Sequence, residues 1–167
     1  MTEEVKRNYL EINSIKDLKE TNQVFDDFSI ILVDPVNFQL NKFFYKNIGK
    51  KHKWVDRLTW SEEKWINYVS SKNVNSYVFK HKDDLVGFFE LIFHSENNET
   101  EIAYFGILEE YQNKKLGSFL LSEAIKKSFV NNTKRVWVHT CSLDHKNALS
   151  NYISRGMKIF KTEILNI

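Results

Sequence analysis

One cysteine, one proline and five glycines in 167 residues leave several kinds of protein without their materials. Cys141 alone cannot build a disulfide framework or an all-cysteine zinc site. So little proline and glycine excludes long flexible linkers, and no internal repeat or low-complexity tract appears. No apolar run approaches the roughly 18 residues that a membrane span needs. The stretch MTEEVKRNYLEI lacks the apolar core of a secretory signal. Charge of one sign is also missing. The 24 basic and 22 acidic residues leave a net +2, which argues against a dedicated nucleic-acid binder. These absences set the expectation of a soluble cytoplasmic protein with no membrane partner. The length suits one domain, residues 1–167, with a substantial core.

What the chain does have is aromatic and apolar residues, 14% and 42% of the total, beside 28% charged. That is ordinary for a globular domain, with an aromatic surplus. A short strand is expected around Tyr9–Ile12. FSIILVD, Phe28–Asp34, is a continuous apolar run and predicts a second strand. After Pro35, the stripe Phe38, Phe43, Phe44 and Ile48 predicts a helix, with Gly49 as its C′ residue. Ser61 before Glu62 and Glu63 reads as an N-cap, opening a helix with Trp65, Ile66 and Val69.

NSYVFK, DLVGFFELIFH and TEIAYFGIL follow, separated by short turns, and predict three antiparallel strands. Leu116, Phe119, Leu120 and Ala124 then recur at helical spacing. RVWVHT is a strand, HKNALSNYISRG a short helix closed by Gly156, and MKIFKTEI a last strand. The pattern is α/β, but the three-strand meander is incompatible with a doubly wound parallel sheet.

EEYQNKKLGSFLL places Lys114 and Lys115 at the start of the helix that Leu116 opens. A helix N-terminus is already positive, so cations there cost about 0.3–1 kcal/mol unless an anion lies between. A phosphate would resolve the conflict, and Gly117 and Ser118 are small enough to let it approach. A solvated turn neutralised by Glu109 and Glu110 is the alternative. Neither a Walker A loop nor Gly-x-Gly-x-x-Gly is present.

EIAYFGILEEYQNKKLGSFLLSEAI and RVWVHTCSLDHKNALSNYISRGM resemble two consecutive motifs of the GCN5-related N-acetyltransferases. In that family a strand runs into Gln/Arg-x-x-Gly-x-Gly/Ala and a helix; the next strand and loop lead to a helix ending Tyr-x-x-x-Gly-Phe. The resemblance covers residues 84–163. In this chain Lys115 stands at the first glycine, Asn113 at a frequent extra one, and Met157 at the Phe. WVDRLTWSEEKW and GFFEL resemble an uncharacterised bacterial subgroup.

The resemblance implies a mixed, largely antiparallel sheet with a splayed central strand pair, flanked by helices on both faces. It implies an acyl-CoA-dependent N-acyltransferase using acetyl-CoA as cosubstrate, no metal, and a small-molecule or protein amine as acceptor. A monomer or homodimer fits. Phe105, Ile107 and Leu108 would face the pantetheine. Gln112, Asn113, Lys114, Lys115, Gly117 and Ser118 would hold the diphosphate, and Asn147 the arm near the thioester.

Tyr152 matches the family's tyrosine near the sulfur, the candidate acid. Glu101 aligns with the acid that serves as base in histone-acetylating members. Glu90, inside apolar GFFELIF, is the rival base, because apolar surroundings should raise a carboxyl pKa.

Other readings stay open. The altered glycine pattern permits a non-catalytic acyl-CoA-binding sensor or docking module. His139, Cys141, Asp144 and His145 in HTCSLDH could form a metal cluster or thiol pair, although Asp144 can instead cap the helix at Asn147. Lys46, Lys50, Lys51, His52 and Lys53 beside Trp54 could contact RNA or single strands, or form a solvated helix end. Trp54, Arg57 and Trp60 could line an acceptor pocket or brace the early helices.

Overall fold

The computed structural model describes residues 2–21, 23 and 25–167. In chain order the elements are β1 (Glu4–Ile12), β2 (Phe28–Leu32), α1 (Phe38–Gly49), α2 (Glu62–Ser70), β3 (Val74–His81) and β4 (Asp84–His94). They continue with β5 (Glu99–Ile107), α3 (Leu116–Ser128), β6 (Arg135–Cys141), α4 (Ala148–Ser154) and β7 (Lys158–Asn166). One seven-stranded sheet runs β2-β3-β4-β5-β6-β1-β7. Its neighbours are antiparallel except β5 and β6. This is the mixed, largely antiparallel architecture expected from the sequence.

Alternation along the strands separates two cores. Phe79 and Phe89 point to the α3 side, with Leu116, Leu120, Leu121 and Ile125. Val78 and Phe88 point the other way, onto Phe44 and Ile48 of α1. Phe44 and Phe88 stack, ring centroids 5.0 Å apart. Helices therefore cover both faces.

Local chemistry explains most boundaries. Asn37 caps α1 by accepting from Gln39 N and Leu40 N, and Ser61 caps α2 through Lys64 N. Gly156 has φ +105°, which L side chains avoid, as expected of a helix terminator. Gly49 departs from expectation. It lies inside α1, and Lys50 after it keeps helical angles. Its small size serves packing instead: a Cβ would fall 2.5 Å from Trp54 Cβ. FSIIL is an edge strand with Ile31 and Leu32 exposed. Among the described residues no helix is long and apolar enough to cross a membrane.

Candidate active site

β5 and β6 pair only at Glu99–Arg135, Thr100–Val136 and Glu101–Trp137. Beyond Glu101 they separate, while β5 stays paired with β4 as far as Ile107. The register with β4 shifts so that Ala103 is an extra residue, a bulge that bends the strand. Leu108 N–H donates to Val86 O of β4 at 2.8 Å. Strand alternation therefore turns the Ile107 and Phe105 peptide groups toward the gap. Ile107 C=O accepts from Gln112 Nε2 at 3.1 Å.

The gap opens into a cavity of about 700 Å³. Phe105, Ile107, Gln112, Asn113, Lys115, Gly117, Ser118, Asn147 and Tyr152 all line it. Two other expected contacts do not. Leu108 packs into the α1 core, and Lys114 reaches over the Tyr111 ring, 5.5 Å from its centroid.

Asn113 and Lys115 both have φ +63°. That left-handed conformation costs an L residue about 1–2 kcal/mol and a glycine almost nothing. The loop thus keeps a glycine-type path through a lysine. Lys115 occupies the N-cap of α3 without a side-chain cap bond, so the first-turn N–H groups have no capping side chain. At Gly117 an added Cβ would meet only Asn151 Nδ2, at 3.8 Å. The protein's own packing leaves space there.

Asn151, absent from the sequence expectations, donates to Gly117 O at 3.2 Å. Its Oδ1 is buried with no partner. Unsatisfied acceptors in a cavity wall are uncommon and call for an explanation. Asn147 stands at the α4 N-cap position but makes no cap bond with its side chain. Asp144 does not cap α4 either. It accepts from Cys141 N at 3.0 Å and Trp54 Nε1 at 3.4 Å, tying the β6–α4 loop to the α1–α2 connection.

Tyr152 is 7% exposed and lies beside Phe105, ring centroids 6.4 Å apart. Burial raises its phenol pKa well above the ordinary value, with the Asp144 charge adding to it. The phenol stays protonated, and among the described residues its hydroxyl makes no hydrogen bond.

Both candidate bases have hydrogen-bond partners and lie outside the cavity lining. Glu90 is fully buried and outside the cavity wall. Its Oε1 accepts from Arg57 Nη1 at 2.9 Å and Tyr68 OH at 2.7 Å, its Oε2 from Asn41 Nδ2 at 2.9 Å. The expected apolar surroundings are replaced by three donors. Arg57 in turn sits among rings, 4.2 Å from the centroids of Tyr68 and Tyr104 and 4.7 Å from Trp60. Arg57 and Trp60 brace α2, whereas Trp54 lines the cavity. Glu101 lies at the closed end of the split, also outside the cavity wall, within 3.0 Å of His94 Nε2.

His139, considered from sequence only for metal or thiol chemistry, reaches the cavity. Partial desolvation, then repulsion from Arg7, lowers its pKa below the ordinary 6.5, so the ring is neutral at pH 7. The signal that could have found it is alternation: His139 shares a strand face with Trp137 and Cys141. Among the described residues no three His, Cys, Asp or Glu side chains assemble as a metal set. Lys51 pairs with Glu109 and Lys53 with Glu3. His52 and Lys53 of this stretch line the cavity beside Trp54.

Comparison with known proteins places this geometry. No curated protein matches the chain significantly. Among solved structures it resembles a GCN5-related N-acetyltransferase from Sphaerobacter thermophilus, at TM-score 0.73 and 13% identity over 99% of this chain and 52% of that one. One from Kribbella flavida gives 0.68 and 13% over 95% and 56%. A spermidine N-acetyltransferase from Vibrio cholerae, in complex with CoA and spermine, gives 0.64 and 16% over 85% and 96%. The chain thus spans little more than half the length of the first two. Residues 38–157 match the acetyltransferase (GNAT) family. Covering well over half of the chain, that match means the protein belongs to the GNAT family.

Proposed function

We propose that this protein transfers an acetyl group from acetyl-CoA to an amine. The observation that carries the reading is the coincidence of three features on one cavity. The β5–β6 pair is split, the α3 N-terminus is uncapped, and a protonated buried tyrosine faces the split.

The cosubstrate fits the residues present. The α3 N–H groups and Lys115 suit a diphosphate, and the space over Gly117 admits one closely. The Phe105 and Ile107 peptide groups and the orphaned Asn151 Oδ1 match the amides of a pantetheine arm. The donor supplies an activated acyl thioester. The acceptor nitrogen forms the new C–N bond as the C–S bond breaks, so no enzyme nucleophile is required. Two protons must move. Neutral His139 takes the first, from the ammonium of the acceptor, in place of Glu101 or Glu90; the second leaves the nitrogen as it becomes an amide and replaces the proton that Tyr152 gives to the departing thiolate.

The alternative is a sensor or docking module that binds acyl-CoA without turnover. Its motive was the altered glycine pattern. The left-handed Asn113 and Lys115 weaken that motive, since the loop path is kept. Calorimetric titration with coenzyme A, followed by free-thiol release across an amine panel, separates the two. Binding with amine-dependent thiol release is expected. Binding without release favours the module, and no binding at millimolar coenzyme A ends both.

A further inference from the structure

β1 enters the sheet between β6 and β7, which sets Arg7 opposite Cys141 and Tyr9 opposite His139. Arg7 therefore shares the strand face of His139, and it lines the cavity. Its guanidinium forms no salt bridge or side-chain hydrogen bond among the described residues, and its Nε is buried without a partner. The adjacent acid forms no salt bridge with it: Glu163, paired in register with Arg7, accepts from Tyr9 OH at 3.1 Å and holds Lys161 at 2.8 Å. Asp144 is occupied by Trp54, Thr140 and Cys141.

Leaving the buried Nε of a cation unmet in a cavity wall is costly unless a ligand or water supplies an acceptor. The planar guanidinium fork matches a carboxylate in two parallel hydrogen bonds. Asp56 faces the same end of the cavity, exposed and free of any ion pair among the described residues. Trp54 and Tyr104 line the same cavity, ring centroids 4.9 Å apart. The cavity thus offers a cation, an anion, an aromatic surface and the neutral His139.

We infer that the acceptor is an amine that also carries a carboxylate, in the manner of an amino acid, and that Arg7 selects it. This rests on the acyl-transfer reading above. Asp56 draws the ammonium, Arg7 holds the carboxylate, and Trp54 with Tyr104 covers the body of the molecule. The phosphate groups of the donor have their own partners in Lys115 and the α3 N-terminus. A polyamine would bring only cations to Arg7.

The test uses matched amines that differ by one carboxylate: phenylalanine against phenethylamine, leucine against isopentylamine, with spermidine as the polycation. Thiol release from acetyl-CoA is followed. The amino acid of each pair is expected to have the higher kcat/KM, by about tenfold to a hundredfold, the range of a charge-assisted hydrogen-bond pair. Arg7→Met should abolish that preference, and Arg7→Lys should restore part of it, with Tm and the Kd for acetyl-CoA unchanged. Equal or better use of the carboxylate-free amines by the wild type overturns the inference alone, as does a preference that survives Arg7→Met. Weaker acetyl-CoA binding in Arg7→Met reassigns Arg7 to the donor and overturns it too. Coenzyme A binding with no transfer to any carboxylate-bearing amine counts equally against it. Failure of coenzyme A to bind removes the underlying reading as well.

Discussion

Two polar regions sit on the same sheet, and they are finished differently. Around Glu90 every buried charge meets a partner. Arg57, Tyr68 and Asn41 donate to the two carboxylate oxygens, and aromatic faces enclose the guanidinium. Along the β5–β6 split the polar groups are left open. Asn151 Oδ1 and Arg7 Nε have no partner, and α3 begins without a capping side chain. A protein interior rarely tolerates orphaned polar groups. Trp65 Nε1 is orphaned too, inside the ring cluster around Arg57, so the contrast lies in the charges: Arg57 and Glu90 pair with each other, whereas Arg7 in the open region forms no salt bridge among the described residues.

Substitutions on either side should expose the contrast. Arg57→Ala strands the Glu90 carboxylate at 0% exposure and should cost about 3–5 kcal/mol of stability, read by urea denaturation. A loss below about 1 kcal/mol would dissolve the distinction.

In the open region, Tyr152→Phe should lower kcat by roughly a hundredfold, the lower end for general acid catalysis. Acetyl-CoA affinity and Tm should stay put, and an unchanged kcat removes Tyr152 from the acid role. Gly117→Ala should separate binding from stability. A helical Ala is favoured over Gly by about 0.8–1 kcal/mol and nothing crowds its Cβ, so Tm should rise slightly while coenzyme A binding weakens several-fold.

The smallest effect concerns pH. A base must be neutral, and the pKa of His139 is held down by desolvation and then by Arg7. The acid limb of kcat/KM should therefore lie below pH 6.5. Arg7→Met relieves the repulsion and should move the limb upward; a limb that stays in place, or one that survives in His139→Gln, takes His139 out of the base role.

Much of the donor side was legible in sequence because it is local. The spacing of Leu116, Leu120 and Ala124 fixes which face of α3 is buried, and all three are at most 2% exposed. The turn from Gln112 to Gly117 is a contiguous motif that leads directly into that helix. The proton-transfer side was less legible. Glu90 among apolar neighbours suggested a desolvated acid, but its partners come from 22 to 49 positions away in the chain. Glu101 aligned with a family position, yet the strands are still paired at that depth. Asn151 lies one helical turn beyond Asn147, and that turn decides which of the two faces Gly117.

Periodicity and turn chemistry, both short-range, determined by themselves the strands and the helices. The place of β1 was beyond them. An alternating strand can pair with any edge that hides its apolar side, and only the assembled sheet lodges β1 between β6 and β7. That single long-range choice carries Arg7 to the cavity near His139.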